Sequence, residues 1–196
     1  MNQHQAQILT QIALFGTSAD PPTQGHRTIL EWLSNRYDRV AVWAADNPLK
    51  THQTPLQHRM KMLELMIASL DTPQNNVQLY PELSSPRSLE TVEKAASIWG
   101  NHTNFIFVIG SDLVSQIPRW YASAELLKRV NLLIVPRPGY PPAENELQTL
   151  AKMGANYQVA DLNAPPVSST AYRENGKADV VDASVKDYIQ AKQLYS

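Results

Sequence analysis

The chain contains no cysteine. That absence excludes a disulfide scaffold, a thiolate metal site and a cysteine nucleophile, and it fits a reducing compartment. Charge of either sign is also not in excess: 17 Lys and Arg stand against 18 Asp and Glu, a formal net charge of −1. Nothing in that balance favours nucleic acid or an anionic membrane surface, so any phosphate site must be local. Long apolar runs are missing too, since no stretch approaches the roughly 18 residues of a membrane span. The opening MNQHQAQILT has neither the basic segment nor the apolar run of a secretory leader. The expectation is a soluble cytoplasmic protein, and Asn101-His102-Thr103, which spells a glycosylation acceptor, is read as a loop. No segment repeats at a solenoid period. Neither Gly-x-Gly-x-x-Gly nor a Walker A pattern occurs, which removes the usual dinucleotide cradle and the P-loop.

What is present is 196 residues, 43% of them hydrophobic. That is enough for one substantial core and short for two enzyme domains. We expect a single domain over 1–196, with a core from about 10 to 175 and a closing helix at about 183–194. Short apolar runs alternate with helical patterns. The spacing predicts strands at Gln11 to Gly16, Arg39 to Ala44, Val77 to Tyr80, Phe105 to Gly110, Asn131 to Val135 and Tyr157 to Val159. Several are apolar at consecutive positions, as strands covered on both faces require. Helices are predicted at Gly25 to Tyr37, Pro55 to Leu70, Ser88 to Trp99, Glu144 to Met153 and Ala183 to Leu194. Thr54 before Pro55 has the form of an N-cap with proline at the first helical position, and Gly100 the form of a C-terminal stop. The economical fold is α/β: a Rossmann-like, doubly wound, mainly parallel sheet flanked by helices.

In such a sheet ligands sit beyond the carboxyl ends of the strands. The first exit, Gly16 to His26, reads GTSADPPTQGH and runs into a helix. Gly25 permits close backbone approach, and the helix start offers unpaired N–H groups to an anion. His26 there reads either as a cap or packing residue or as a ring N–H aimed at a phosphate, with the Thr23 hydroxyl nearby.

Thr23-Gln24-Gly25-His26 after an apolar strand resembles the [H/T]-x-G-H signature of adenylyl- and cytidylyltransferases. Val167-Ser168-Ser169-Thr170-Ala171-Tyr172-Arg173 is similar to the I-S-S-T-x-x-R phosphate-binding motif of the same superfamily, and IGSDLVSQIPRWY (Ile109 to Tyr121) to the G-x-D segment followed by tryptophan of bacterial nicotinate-nucleotide adenylyltransferases. Asn47-Pro48-Leu49-Lys50 looks like that family's proline-and-lysine loop. Ser88-Leu89-Glu90-Thr91-Val92 resembles the segment whose threonine faces the mononucleotide. These ordered matches cover most of the chain. The family usually begins G-G-[T/S]-F-D. Thr17 and Ala19 here replace the second glycine and the phenylalanine, which implies a somewhat different loop path.

The resemblance implies adenylyl transfer from ATP to nicotinate mononucleotide, giving deamido-NAD and pyrophosphate in NAD biosynthesis. It assigns catalysis to His26, Lys50 and Arg173, and ATP binding to Gly16, Thr17, Ser18, Thr23, His26, Gly110, Asp112, Ser168, Ser169, Thr170 and Arg173. Acceptor binding falls to Lys50, Thr91, Trp120 and Arg137. Taken alone, Ser168 to Thr170 read sooner as an N-cap cluster and Trp120 sooner as core, while Asp112 reads equally as a cap and Arg137 equally as a solvated cation. A phosphate monoester is already ionised at neutral pH, so the chemistry asks for alignment and charge neutralisation rather than a general base. His52 and His58 form no recognisable metal set with acidic partners, so no protein-held metal is assigned, and Mg2+ is expected on the substrate phosphates and water. Nicotinamide mononucleotide or pantetheine phosphate as acceptor, or a nucleotide-binding regulatory module without turnover, stand as alternatives. Oligomeric state, homo-oligomers included, is left open.

Overall fold

The computed structural model describes residues 10–46, 53–162, 164–175 and 180–195. Six strands form one sheet: β1 (Gln11–Thr17), β2 (Arg39–Ala44), β3 (Val77–Leu79), β4 (Asn104–Gly110), β5 (Asn131–Val135) and β6 (Asn156–Val159). Their order is β3-β2-β1-β4-β5-β6 and every pairing is parallel. The chain builds outward from β1 to one edge, returns through α3 to β4, and builds to the other edge. The direction therefore reverses between β1 and β4, and the crevice of a doubly wound sheet opens at their carboxyl ends.

Successive strand residues point to opposite faces, and helices cover both. On one face Ala13, Phe15, Val40 and Val42 pack against α1 (Gln24–Ser34), α2 (Leu56–Ala68) and α7 (Ala183–Ala191) through Leu30, Leu33, Met62, Met66 and Val185. On the other, Ile12, Leu14, Ala41, Trp43 and Phe107 meet α3 (Ser88–Trp99), α4 (Ser123–Arg129) and α5 (Glu144–Lys152) through Leu89, Val92, Leu126 and Leu150. A seventh, short helix, α6 (Ser169–Asn175), lies beyond β6 in the chain. Consecutive apolar residues in β1, β2 and β4 are thus explained, because each strand has two buried sides.

The predicted elements stand with shifted ends, and Gly100 closes α3 at φ 88 as expected of a left-handed stop. The start of α2 differs from the prediction. Thr54 is not the cap: its N–H is given to the Asp20 carboxylate and its carbonyl to Arg59. Pro55 takes the cap position instead, its carbonyl accepting the His58 and Arg59 N–H groups. Helix α4 and the 3-10 stretch Ser111–Arg119 were not predicted. Pro118 interrupts that stretch, and α4 begins after Ala122 in a left-handed conformation with no capping side chain.

Gly16, at the end of β1, pairs with Trp43 across the sheet, and a β-carbon built on it would come within 2.5 Å of the Trp43 ring. Glycine is needed here for packing. Gly16→Ala is expected to lower the unfolding free energy by about 1–3 kcal/mol, read in urea denaturation, because the buried indole has to shift.

Candidate active site

The first exit loop is held from beneath. Asp20 is 3% exposed, and its carboxylate accepts the Thr54 N–H at 3.3 Å and the Tyr195 hydroxyl at 2.6 Å. Arg59, 2% exposed on α2, donates to the carbonyls of Ser18 (3.1 Å), Ala45 (2.8 Å) and Thr54 (2.8 Å). Burial pulls its pKa down, opposed by the nearby carboxylates of Asp20 and Asp46. Sequence reading missed Arg59. Its signal was available, since positions 56, 59, 60 and 63 share one helical face and three of the four are apolar. A cation on such a face has to find partners inside.

Thr23 caps α1, and His26 at the third helical position completes a capping box: its Nδ1 accepts the Thr23 N–H at 3.0 Å, with the Thr23 hydroxyl also at 3.0 Å. An Nδ1 that accepts leaves the proton of the neutral ring on Nε2. Nε2 therefore donates to Thr17 Oγ1, 2.9 Å away. The T-x-G-H tetrad is thus a helix cap whose fourth residue turns one ring N–H toward the mouth of the loop. Thr17, the departure from the family's glycine, supplies the partner for that N–H. Ala19, the other departure, adopts φ 45 and is buried. Gly25 packs against Val167, and a β-carbon there would meet only ordinary contacts at 3.5 Å, so no close approach within the protein demands glycine.

The last motif is laid against the first. Ser168 Oγ caps α6 by accepting the Ala171 N–H at 3.1 Å, and Ser169 Oγ donates to the Pro21 carbonyl at 2.7 Å. Arg173 donates to the Asp20 carbonyl and, at 3.3 Å, to Thr170 Oγ1. Residues separated by about 150 positions in the chain therefore form one cluster of hydroxyls, N–H groups and a guanidinium at the end of β1.

Across the crevice, Asp112 does not cap the 3-10 stretch that follows β4. Its carboxylate folds back over Gly110 and pairs with Arg137 at 2.7 Å. Arg137-Pro138-Gly139-Tyr140 is a tight turn with Gly139 at φ 83. The buried hydroxyl of Ser111 accepts the Arg137 N–H at 2.9 Å and donates to the Tyr140 carbonyl at 2.6 Å. Trp120 is half-buried at the rim of the second core layer. Thr91 departs from its expected position facing the mononucleotide: it is 1% exposed, and its hydroxyl donates to the Leu83 carbonyl at 3.0 Å, bracing the turn before α3. Lys50, with Asn47 to Leu49 and His52, lies outside the described residues. His58 Nδ1 contacts the Tyr188 hydroxyl at 2.8 Å. Among the described residues no group of three or more His, Asp or Glu side chains is placed to hold a metal. A cavity of about 230 Å³ lies at the opposite, amino end of the strands, lined by Gln11, Asn104, Asn131 and Asn156 and remote from this cluster.

The sequence profile of the cytidylyltransferase-like family matches residues 14–175, a span that holds the whole cluster from Gly16 to Arg173. The chain belongs to this family. Within it, the chain is 43% identical over 197 residues to a Synechocystis protein named as a probable nicotinate-nucleotide adenylyltransferase, covering 94% of this chain and 98% of that one. It is 29% identical to the nicotinate-nucleotide adenylyltransferase of Bacillus subtilis, over 95% and 99% of the two chains. In fold, this family member resembles the Plasmodium falciparum nicotinic acid mononucleotide adenylyltransferase solved with NaAD. The TM-score is 0.81 at 21% identity, over 95% of this chain and 97% of that one.

Proposed function

We propose that the chain transfers the adenylyl group of ATP to nicotinate mononucleotide, releasing pyrophosphate and forming deamido-NAD, as a step of NAD biosynthesis. The observation that carries this reading is the convergence of His26, Thr17, Ser169 and Arg173 on one loop at the switch point of the sheet, in a member of this family. An oxygen of the acceptor phosphate forms a bond to the α-phosphorus as the bond from that phosphorus to the β-bridging oxygen breaks. The electron pair leaves on pyrophosphate. No base is required, because the attacking phosphate is already ionised.

In this reading His26 Nε2–H exchanges the Thr17 hydroxyl for a non-bridging oxygen of the α-phosphate, where charge grows in the transition state. Arg173 and the hydroxyls of Ser168, Ser169 and Thr170 take the phosphates beyond it, with Lys50 assigned to the same charge from the sequence. Asp112 accepts from ribose hydroxyls, Arg137 turns to the mononucleotide phosphate, and Trp120 offers a flat face on which the pyridine stacks. Asp20 is engaged by Tyr195, and in this reading Asp112 is taken by the ribose. Magnesium therefore fits as a passenger on the ATP phosphates, where it neutralises charge on the leaving pyrophosphate. We read the chain as one nucleotidyltransferase unit working in the cytoplasm. No described helix is long and apolar enough to cross a membrane.

Pyrophosphate release with ATP and magnesium tests the reading, with nicotinate mononucleotide, nicotinamide mononucleotide and pantetheine phosphate compared at matched concentrations. Preference for nicotinate mononucleotide is the expected result. ATP binding with turnover of none of the three would overturn it in favour of a regulatory module.

A further inference from the structure

The segment after α7 returns to the first loop. Leu194 donates its N–H to the Ile189 carbonyl at 3.0 Å, and Gln193 and Tyr195 adopt φ 50 and φ 63. Left-handed backbone is unfavourable for side chains of this size, so the surroundings hold the turn in place. The turn delivers the Tyr195 hydroxyl to Asp20 Oδ1 at 2.6 Å and sets its ring edge-on to Tyr172, with centroids 6.0 Å apart at 84°. Tyr172 belongs to the SSTAYR segment. One side chain thus touches both the first exit loop and the SSTAYR segment. A phenylalanine would fill the same space and give up only the hydroxyl, whose partners are the side chains of Asp20 and Thr54. Burial and the neighbouring carboxylate push the phenol far above its ordinary range, which keeps it a donor.

The Asp20 carboxylate accepts from the Tyr195 hydroxyl on Oδ1 and from the Thr54 N–H on Oδ2, with Arg59 also close. The same Oδ2 lies 4.0 Å from the Arg173 guanidinium, which donates instead to the Asp20 backbone carbonyl. A buried carboxylate provided with a hydroxyl donor competes less strongly for a neighbouring cation. Without that hydroxyl, the carboxylate draws Arg173 inward.

We propose that Tyr195 is a positioning residue for nucleotide binding: by satisfying Asp20 and bracing Tyr172, it holds the loop of residues 17–22 against α6 and keeps Arg173 available to a triphosphate. This rests on the reading of the cluster as an ATP site.

The test is Tyr195→Phe, which keeps the ring and removes the hydroxyl. The affinity for α,β-methylene-ATP is measured by calorimetry, and KM for ATP and for the acceptor by turnover. We expect the analogue Kd and the ATP KM to rise about tenfold, as for loss of a hydrogen bond to a charged group. The acceptor KM should stay near that of the parent protein, and the unfolding midpoint should fall only modestly, as a buried carboxylate loses one of its donors. In an Asp20→Asn background, where no charge competes for Arg173, Tyr195→Phe should cost little further affinity. Unchanged nucleotide affinity overturns the proposal. So does an equal loss in both backgrounds, or a joint shift of both KM values with the unfolding midpoint, which marks a structural prop. If no acceptor is turned over by the parent protein while the analogue affinity still falls in Tyr195→Phe, the adenylyl-transfer reading fails and the positioning role stands.

Discussion

His26→Ala is expected to lower the turnover of adenylyl transfer by about a hundredfold or more, the scale found when one positioned donor to a developing oxyanion is removed. The geometry separates this effect from unfolding. His26 serves the helix through Nδ1 and the loop mouth through Nε2, so its two duties sit on opposite ring nitrogens. Loss of the Nδ1 contact costs on the order of 1 kcal/mol of helix stability, well short of unfolding a domain of this size. His26→Gln sharpens the comparison, because glutamine at the third helical position also accepts from the cap N–H. That variant should recover stability in urea denaturation while turnover stays low. Near-parental turnover in His26→Ala would remove the residue from the mechanism.

The largest stability effect is expected at Arg59. Replacement by leucine leaves the carbonyls of Ser18, Ala45 and Thr54 without the buried guanidinium that ties them together, and leaves Asp20 without the nearest buried cation. Breaking a buried charge arrangement from one side costs about 3–5 kcal/mol. A domain has about 5–15 kcal/mol in total. The midpoint of urea denaturation should therefore fall steeply, and residual folded protein should lose ATP affinity, since the three carbonyls belong to segments that shape the first loop. Arg59→Lys is expected to rescue little, because one ammonium cannot span three acceptors in a fixed fork. A loss under about 1 kcal/mol in Arg59→Leu would mean that water takes over the three carbonyls.

Periodicity was sufficient for β1, β2, β4 and β5 because each is buried on both faces, where apolar runs carry no competing message. It failed at Ser123–Arg129, a helix of two turns whose entry through Ala122 has no capping signal, and at Thr54, whose polar groups are claimed by Asp20 and Arg59 from other elements. Such claims are tertiary and leave no local trace. The candidate site shows the same division. His26, Ser169 and Arg173 could be named from short motifs, yet the partners that set their geometry are Thr17, Asp20, Pro21 and Tyr195. Asp112 and Arg137 were assigned separately, to ATP and to the acceptor, and their mutual ion pair could not be foreseen from residues 25 positions apart. Thr91 matched a motif in sequence while its hydroxyl was already committed to Leu83.

The Arg137 to Tyr140 turn bears on how fast the crevice can respond. Pro138 fixes one torsion, Gly139 occupies the left-handed region, and Ser111 fastens the N–H of the first residue and the carbonyl of the last. With its backbone held at both ends, Arg137 can leave Asp112 only by rotating its own side chain, a movement of picoseconds to nanoseconds rather than the microseconds of a loop rearrangement. In the proposed role of Arg137, exchange of this ion pair for the acceptor phosphate would then be too quick to limit turnover, and slow steps in the cycle would arise elsewhere in the molecule.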